Sequence, residues 1–93
     1  MFVSESWVGC RKPGICLAKL CRHWSHRFSV RFDEGRGEID FVPARCVLWV
    51  EAGALRVRLE TPQAQELDEL EPIVAEHLQR MLGDEVVRIR WRR

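Results

Sequence analysis

The sequence predicts an α+β fold: a two-layer sandwich with a mainly antiparallel sheet and two helices on one face, in the order β-α-β-β-β-β-α-β. Three observations predict it. Short segments such as "LRVRLE" (55–60) alternate apolar and charged residues with the period of a half-buried strand. Two longer segments repeat apolar residues at helical spacing, which gives each helix one apolar stripe and one layer to lie against. The central strands are joined by links short enough for antiparallel hairpins. The chain has 93 residues, which suits a single domain, 1–93, with one core.

The elements follow in order. "FVSESWV" (2–8) alternates, with Val3, Glu5 and Trp7 on one side of a strand. Pro13 suits the first turn of a helix, where its missing N–H costs nothing, and Leu17, Leu20, Cys21 and Trp24 mark the apolar face of a helix over 13–25. "FSVRFD" (28–33) and "EIDFV" (38–42) are strands joined by the glycine-bearing turn "DEGRG" (33–37). Pro43 interrupts, "RCVLWVE" (45–51) is the next strand, "AGA" (52–54) is a tight turn, and 55–60 follows. Thr61-Pro62 reads as a helix start, a hydroxyl cap followed by proline at the first helical position. Leu67, Leu70, Val74, His77, Leu78 and Met81 form the second stripe, and Gly83 stops that helix. "EVVRIRWRR" (85–93) closes with Val87, Ile89 and Trp91 on one face and Arg88, Arg90 and Arg92 on the other. A right-handed crossover makes this last strand run parallel to 55–60 within one sheet.

Composition narrows the function classes. Hydrophobic content of 46% and charged content of 31% are those of an ordinary globular protein, and a net charge of +1 gives no bulk attraction to nucleic acid or acidic lipid. No apolar run approaches the ~18 residues of a membrane span. The first residues lack the basic head and apolar segment of an export signal, so a cytoplasmic location is expected. Cys10, Cys16, Cys21 and Cys46 are then reduced thiols; no C-x-x-C signals a redox pair or zinc knuckle.

The run "LAKLCRHWSHRFSVRFDEGRGEIDF", then "LRVRLETP", "LEPIVAEHLQRM" and "RIRW", resembles a bacterial family catalogued as domain of unknown function 2218. The likeness rests on Leu20, Cys21, His23, Trp24 and His26, on Phe32, Asp33 and Gly37, and on Ala75, His77 and Leu78, and it covers about 15 to 93. The sequence departs from the family at "CRKPGI" (10–15), where Pro13 and Gly14 replace a plainer helix start. The family carries no established activity. The resemblance implies a small domain sometimes joined to, or encoded beside, flavin-dependent siderophore-interacting reductases, and hence an iron-uptake setting.

"CRHWSH" (21–26) is the densest cluster of metal-binding residue types. Cys21, His23, His26 and His77 are the candidate ligands for Fe(II), Zn(II) or haem, because such metals need three or four nitrogen or sulfur donors at ~2.0–2.3 Å. His23 and His26 share a helix face, whereas Cys21 lies on the apolar stripe, as His77 does on the second helix. The alternative roles are structural: Cys21 as a small core residue, His77 as a core-edge histidine with one hydrogen bond, and Arg22, His23, His26 and Arg27 as positive charge favoured at a helix C-terminus. Cys21 with His77 is the one thiol–imidazole pair to consider for nucleophilic chemistry. The "GRG" segment precedes a strand and is no phosphate loop, and Asp33, Glu34, Glu38 and Asp40 surround a turn, where they are expected to be solvated.

Arg56, Arg58, Arg88 and Arg90 are the candidate partner surface, sharing the outer face of the sheet if their strands are neighbours. Such a face suits phosphates, but Phe32, Phe41 and Trp91 fall on the inward side, so a nucleic-acid platform is disfavoured and a salt-bridged solvent face expected. No complete catalytic set can be assembled. Two functional expectations remain. One is a non-catalytic binding module in an iron-related setting that holds a metal or metal-carrying ligand near Cys21. The other is an interaction domain without a small-molecule site, whose partner is a flavin-dependent siderophore reductase or a second copy of the chain.

Overall fold

The computed structural model describes residues 1–93. Its elements are β1 (Phe2–Gly9), α1 (Pro13–Trp24), β2 (Ser29–Phe32), β3 (Arg36–Asp40), β4 (Arg45–Glu51), β5 (Ala54–Thr61) and α2 (Ala64–Leu82). The strands form one five-stranded sheet in the order β1-β5-β4-β3-β2, antiparallel throughout. The α+β sandwich expected from the sequence is the fold observed. The meander β2 to β5 follows from short turns; β1 returns to the far edge of β5, with Phe2 opposite Thr61 and Gly9 opposite Ala54.

Alternation along the strands fixes the two faces. Val8, Leu55, Val57, Leu59, Cys46, Leu48 and Ile39 turn inward and are buried. The helices meet them with Leu17, Leu20, Cys21 and Trp24 from α1 and Leu67, Val74 and Leu78 from α2. Each such aliphatic side chain contributes about 1.5–3 kcal/mol through burial. Gly37 is where α1 comes closest to the sheet: a methyl group there would lie 2.8 Å from Cys21 Sγ and 3.6 Å from Leu17 Cγ.

The third strand lies two residues earlier than the 38–42 read from the sequence, at Arg36–Asp40, and two further boundaries differ. Thr61 does not cap α2. It is the last residue of β5, fully buried opposite Phe2, and its Oγ1 accepts a 3.3 Å hydrogen bond from the Gln63 N–H. Helix α2 therefore starts at Ala64, because the alternation of β5 buries Thr61 on the core face.

The other is the C-terminal segment. Residues 85–92 keep the expected alternation, with Val87, Ile89 and Trp91 packed on the core and Arg88, Arg90 and Arg92 exposed. They do not form a continuous strand. One antiparallel bridge joins Arg92 to Glu5, through N–H···O bonds of 2.9 and 2.8 Å. Being antiparallel to β1, the segment has the sense of β5, as a crossover from β5 requires, but β1 lies between them. The reason for the missing ladder is local. Gln79 of α2 takes the polar groups a strand would offer: its Nε2 donates to the Glu85 carbonyl at 2.7 Å, and its Oε1 accepts from the Val87 N–H at 3.4 Å. Arg93 then pins the end to α2, reaching Asp68 at 2.6 Å and Glu71 at 3.0 Å.

Candidate functional site

The four proposed ligands separate into three places. Cys21 is fully buried, its sulfur turned to Gly37 beneath α1. Burial pushes its thiol up from the ordinary 9.0 to about 11, so the thiolate needed for metal binding or attack is disfavoured. His26 lies exposed in the turn after α1. His23 and His77 do meet, with ring centres 5.1 Å apart and planes tilted by 42°. No three His, Cys, Asp or Glu side chains form a group able to hold a metal ion. Helices α1 and α2 touch, and the contact brings His77 to His23 rather than to Cys21. Cys21 points down its helix's apolar stripe, and His23, two residues on, points along the groove between the helices.

An aromatic stack supports the two imidazoles. Trp24 lies 4.9 Å from the His77 ring and 5.0 Å from Phe41, edge to face, and Phe41 in turn packs on Phe28 at 4.9 Å. The His77 Nδ1 is 2.8 Å from the Ile73 carbonyl oxygen. A carbonyl oxygen only accepts, so Nδ1 carries the proton and Nε2 of the neutral ring keeps its lone pair.

The other three cysteines are also free and buried. Burial and the neighbouring Cys10 push the Cys16 thiol up to about 12, and burial raises Cys10 and Cys46 as well.

The opposite side of the sheet carries no helix, and the strand registers set it out in rows. One row runs Trp7, Arg56, Trp49, Arg36 across β1, β5, β4 and β3. The Arg56 guanidinium lies 5.0 Å from the Trp7 ring and 4.7 Å from the Trp49 ring, and Arg36 lies 5.8 Å from Trp49. Glu5 holds Arg56 in place at 2.8 Å. The next rows are ion pairs. Glu38 gathers Arg45 at 2.8 Å, Arg36 at 3.3 Å and Arg31 at 3.5 Å, while Glu60 takes Arg45 at 2.7 Å and Arg58 at 2.8 Å.

Glu38 is therefore not the solvated turn carboxylate expected from the sequence. It stands in mid-sheet. Desolvation alone raises its carboxyl, and Arg45, Arg31 and Arg36 more than offset this and hold it below the ordinary value. Asp33, by contrast, closes the β2–β3 turn by accepting the Gly35 and Arg36 N–H groups, both at 2.9 Å, which lowers its own carboxyl.

The charges on this face are layered. Arg31 is 83% exposed above a Glu38 that is 12% exposed, and Arg45 is 47% exposed above a Glu60 that is 14% exposed. The carboxylates lie low against the strands and the guanidiniums ride over them. Arg92 extends the face beyond β1 through its bridge to Glu5, and Arg88 and Arg90 are exposed along the same segment without ion pairs of their own. The sequence reading missed Trp7, Trp49, Arg31, Arg36 and Arg45 as parts of this surface. The outward parity of Trp7 with Glu5 was the available signal.

Comparison with known proteins agrees with this architecture. The family model described as "Uncharacterized protein conserved in bacteria (DUF2218)" matches residues 5–92. The NMR structure of PA4090 from Pseudomonas aeruginosa is similar over 99% of this chain and 96% of that one, at 35% identity and a TM-score of 0.83. No curated protein matches. No helix is long and apolar enough to cross a membrane.

Proposed function

The chain belongs to the bacterial family DUF2218, and on that premise we propose that it is a non-catalytic cytoplasmic binding module that docks an acidic protein surface through its open sheet face. The resemblance puts a flavin-dependent siderophore-interacting reductase first among partners, and an iron-uptake setting with it. One observation carries the reading: arginine side chains cover Glu38 and Glu60, so an approaching surface meets mainly guanidinium groups and tryptophan, with Asp40 exposed and Glu51 half-buried only toward the strand ends. Trp and Arg are the side chains enriched where interfaces concentrate their binding energy. Trp7, 52% exposed beside Arg56, is the natural centre. The molecule's long axes of 33 and 25 Å give this face an area of the order of the ~800 Å² each partner contributes to a standard interface.

Nucleic acid is the weaker partner, because Arg56 already lies against both tryptophan rings that would stack on bases. The four unpaired, buried thiols fit a reducing compartment. The test is calorimetry with the purified reductase at low and high salt. Binding that weakens with salt, is lost in Arg56→Glu and survives in His23→Ala supports the proposal. Heat that is absent, or that Arg56→Glu leaves unchanged, removes it. Reversible dimerisation through the same face, seen by sedimentation and lost in Arg56→Glu, would replace the acidic partner by a second copy.

A further inference from the structure

We propose that His23 and His77 form a two-imidazole site for a borderline divalent metal ion, of the Zn(II), Ni(II) or Cu(II) class, at the junction of α1 and α2. This site lies on the helix side of the sheet and does not depend on the docking face.

The ring spacing carries the proposal. An ion bound ~2.05 Å from an imidazole nitrogen lies about 3.2 Å from the ring centre. With a nitrogen of each ring turned to one ion, centres 5.1 Å apart would subtend roughly 105° at it, close to the tetrahedral angle Zn(II) adopts. The second observation is the orientation of His77. Its Nδ1–H donates to the Ile73 carbonyl, the arrangement that fixes the tautomer of metal-bound histidines and leaves Nε2 to the metal. Trp24 packs on the same ring and limits its rotation. His23 is exposed, and no protein group bonds its nitrogens, so it is free to turn its lone pair toward the same point. It stands in the last turn of α1, where the unpaired carbonyls favour positive charge.

Water completes the coordination, since Cys21 is sealed under α1 and no carboxylate joins the pair. The nitrogen donors select against Mg(II) and Ca(II), which require oxygen. Two protein ligands instead of four place this site well below four-ligand zinc centres in affinity.

The probe is Zn(II) chloride added to the full chain, followed by histidine-ring and tryptophan-indole NMR. The His23 and His77 ring signals and the Trp24 indole are expected to move together and saturate at one ion per chain, while Trp7 and Trp49 stay still. His23→Ala, a surface change, should weaken binding at least tenfold, as should His77→Ala, whereas His26→Ala and Mg(II) in place of Zn(II) should change nothing and do nothing, respectively. Unaltered affinity in His23→Ala, movement of His26 in place of His77, or no shift at millimolar Zn(II) would overturn the assignment.

Discussion

Replacing Gly37 by alanine tests the packing that removes Cys21 from any metal site. The added methyl would meet Cys21 Sγ at 2.8 Å, with Phe32 Cβ at 3.4 Å and Leu17 Cγ at 3.6 Å behind it. Relaxed carbon–sulfur contact needs nearly 1 Å more, and Cys21 and Leu17 are fully buried and close-packed. Overpacking of this kind costs about 1–3 kcal/mol. Gly37 does not have positive φ, so alanine is tolerated by the backbone and returns about 0.5–1 kcal/mol of chain entropy. The net loss is then about 1–2 kcal/mol, or a fall in Tm of roughly 4–16 °C for a domain of this size. Cys21→Ala alone leaves a small void and costs about 1 kcal/mol. In the double variant the new methyl occupies the space the sulfur leaves, so the two losses should fall short of additive by about 1 kcal/mol or more. Urea unfolding followed by circular dichroism measures all four species. Additive losses, or a Gly37→Ala protein as stable as the parent, would refute the contact.

Four further predictions concern the buried thiols, Ser6 and Arg93. No cysteine should react with a thiol reagent in the folded chain, and all four should react in denaturant, because burial holds Cys21 and Cys16 up at about 11 and about 12. A folded-state value above the unfolded one means the associated stability is whole below about pH 8.5 and is lost as the pH rises toward the folded values, which an alkaline unfolding series will show. Ser6→Ala should leave stability unchanged or raise it by about 1 kcal/mol in urea titration, since its buried hydroxyl has no hydrogen-bond partner. Arg93→Ala should lower stability only slightly, since exposed ion pairs are solvent-screened, but should quicken amide exchange at Glu5 and Arg92 by releasing the segment clamped to Asp68 and Glu71.

The strands and helices were legible wherever a single face decides burial. Leu55, Val57 and Leu59 announce their face by alternation, and the α1 stripe of Leu17, Leu20, Cys21 and Trp24 is the buried stripe. Thr61 misled because its hydroxyl suits both a helix cap and a strand end, and only its pairing with Phe2 decides between them. The 85–92 segment carries a strand's pattern, yet Gln79, six to eight residues upstream, diverts its backbone bonds. Nothing local in "EVVRIRW" records that. The candidate ligands illustrate the same limit. Helical spacing placed Cys21 on the buried stripe, but the meeting of His23 with His77 depends on how two helices lie side by side. The layering of guanidinium over carboxylate depends on register across four strands, which alternation alone does not specify.

The docking proposal meets its most direct test in the four indole N–H signals of the chain. Trp7 and Trp49 lie on the open face, and Trp24 and Trp91 on the core side. On titration with the reductase, the Trp7 and Trp49 indoles should shift and broaden while those of Trp24 and Trp91 hold their positions, and added salt should reverse the change. Movement of Trp24 or Trp91 with Trp7 and Trp49 unmoved, or a spectrum indifferent to the reductase at every salt concentration, would contradict it.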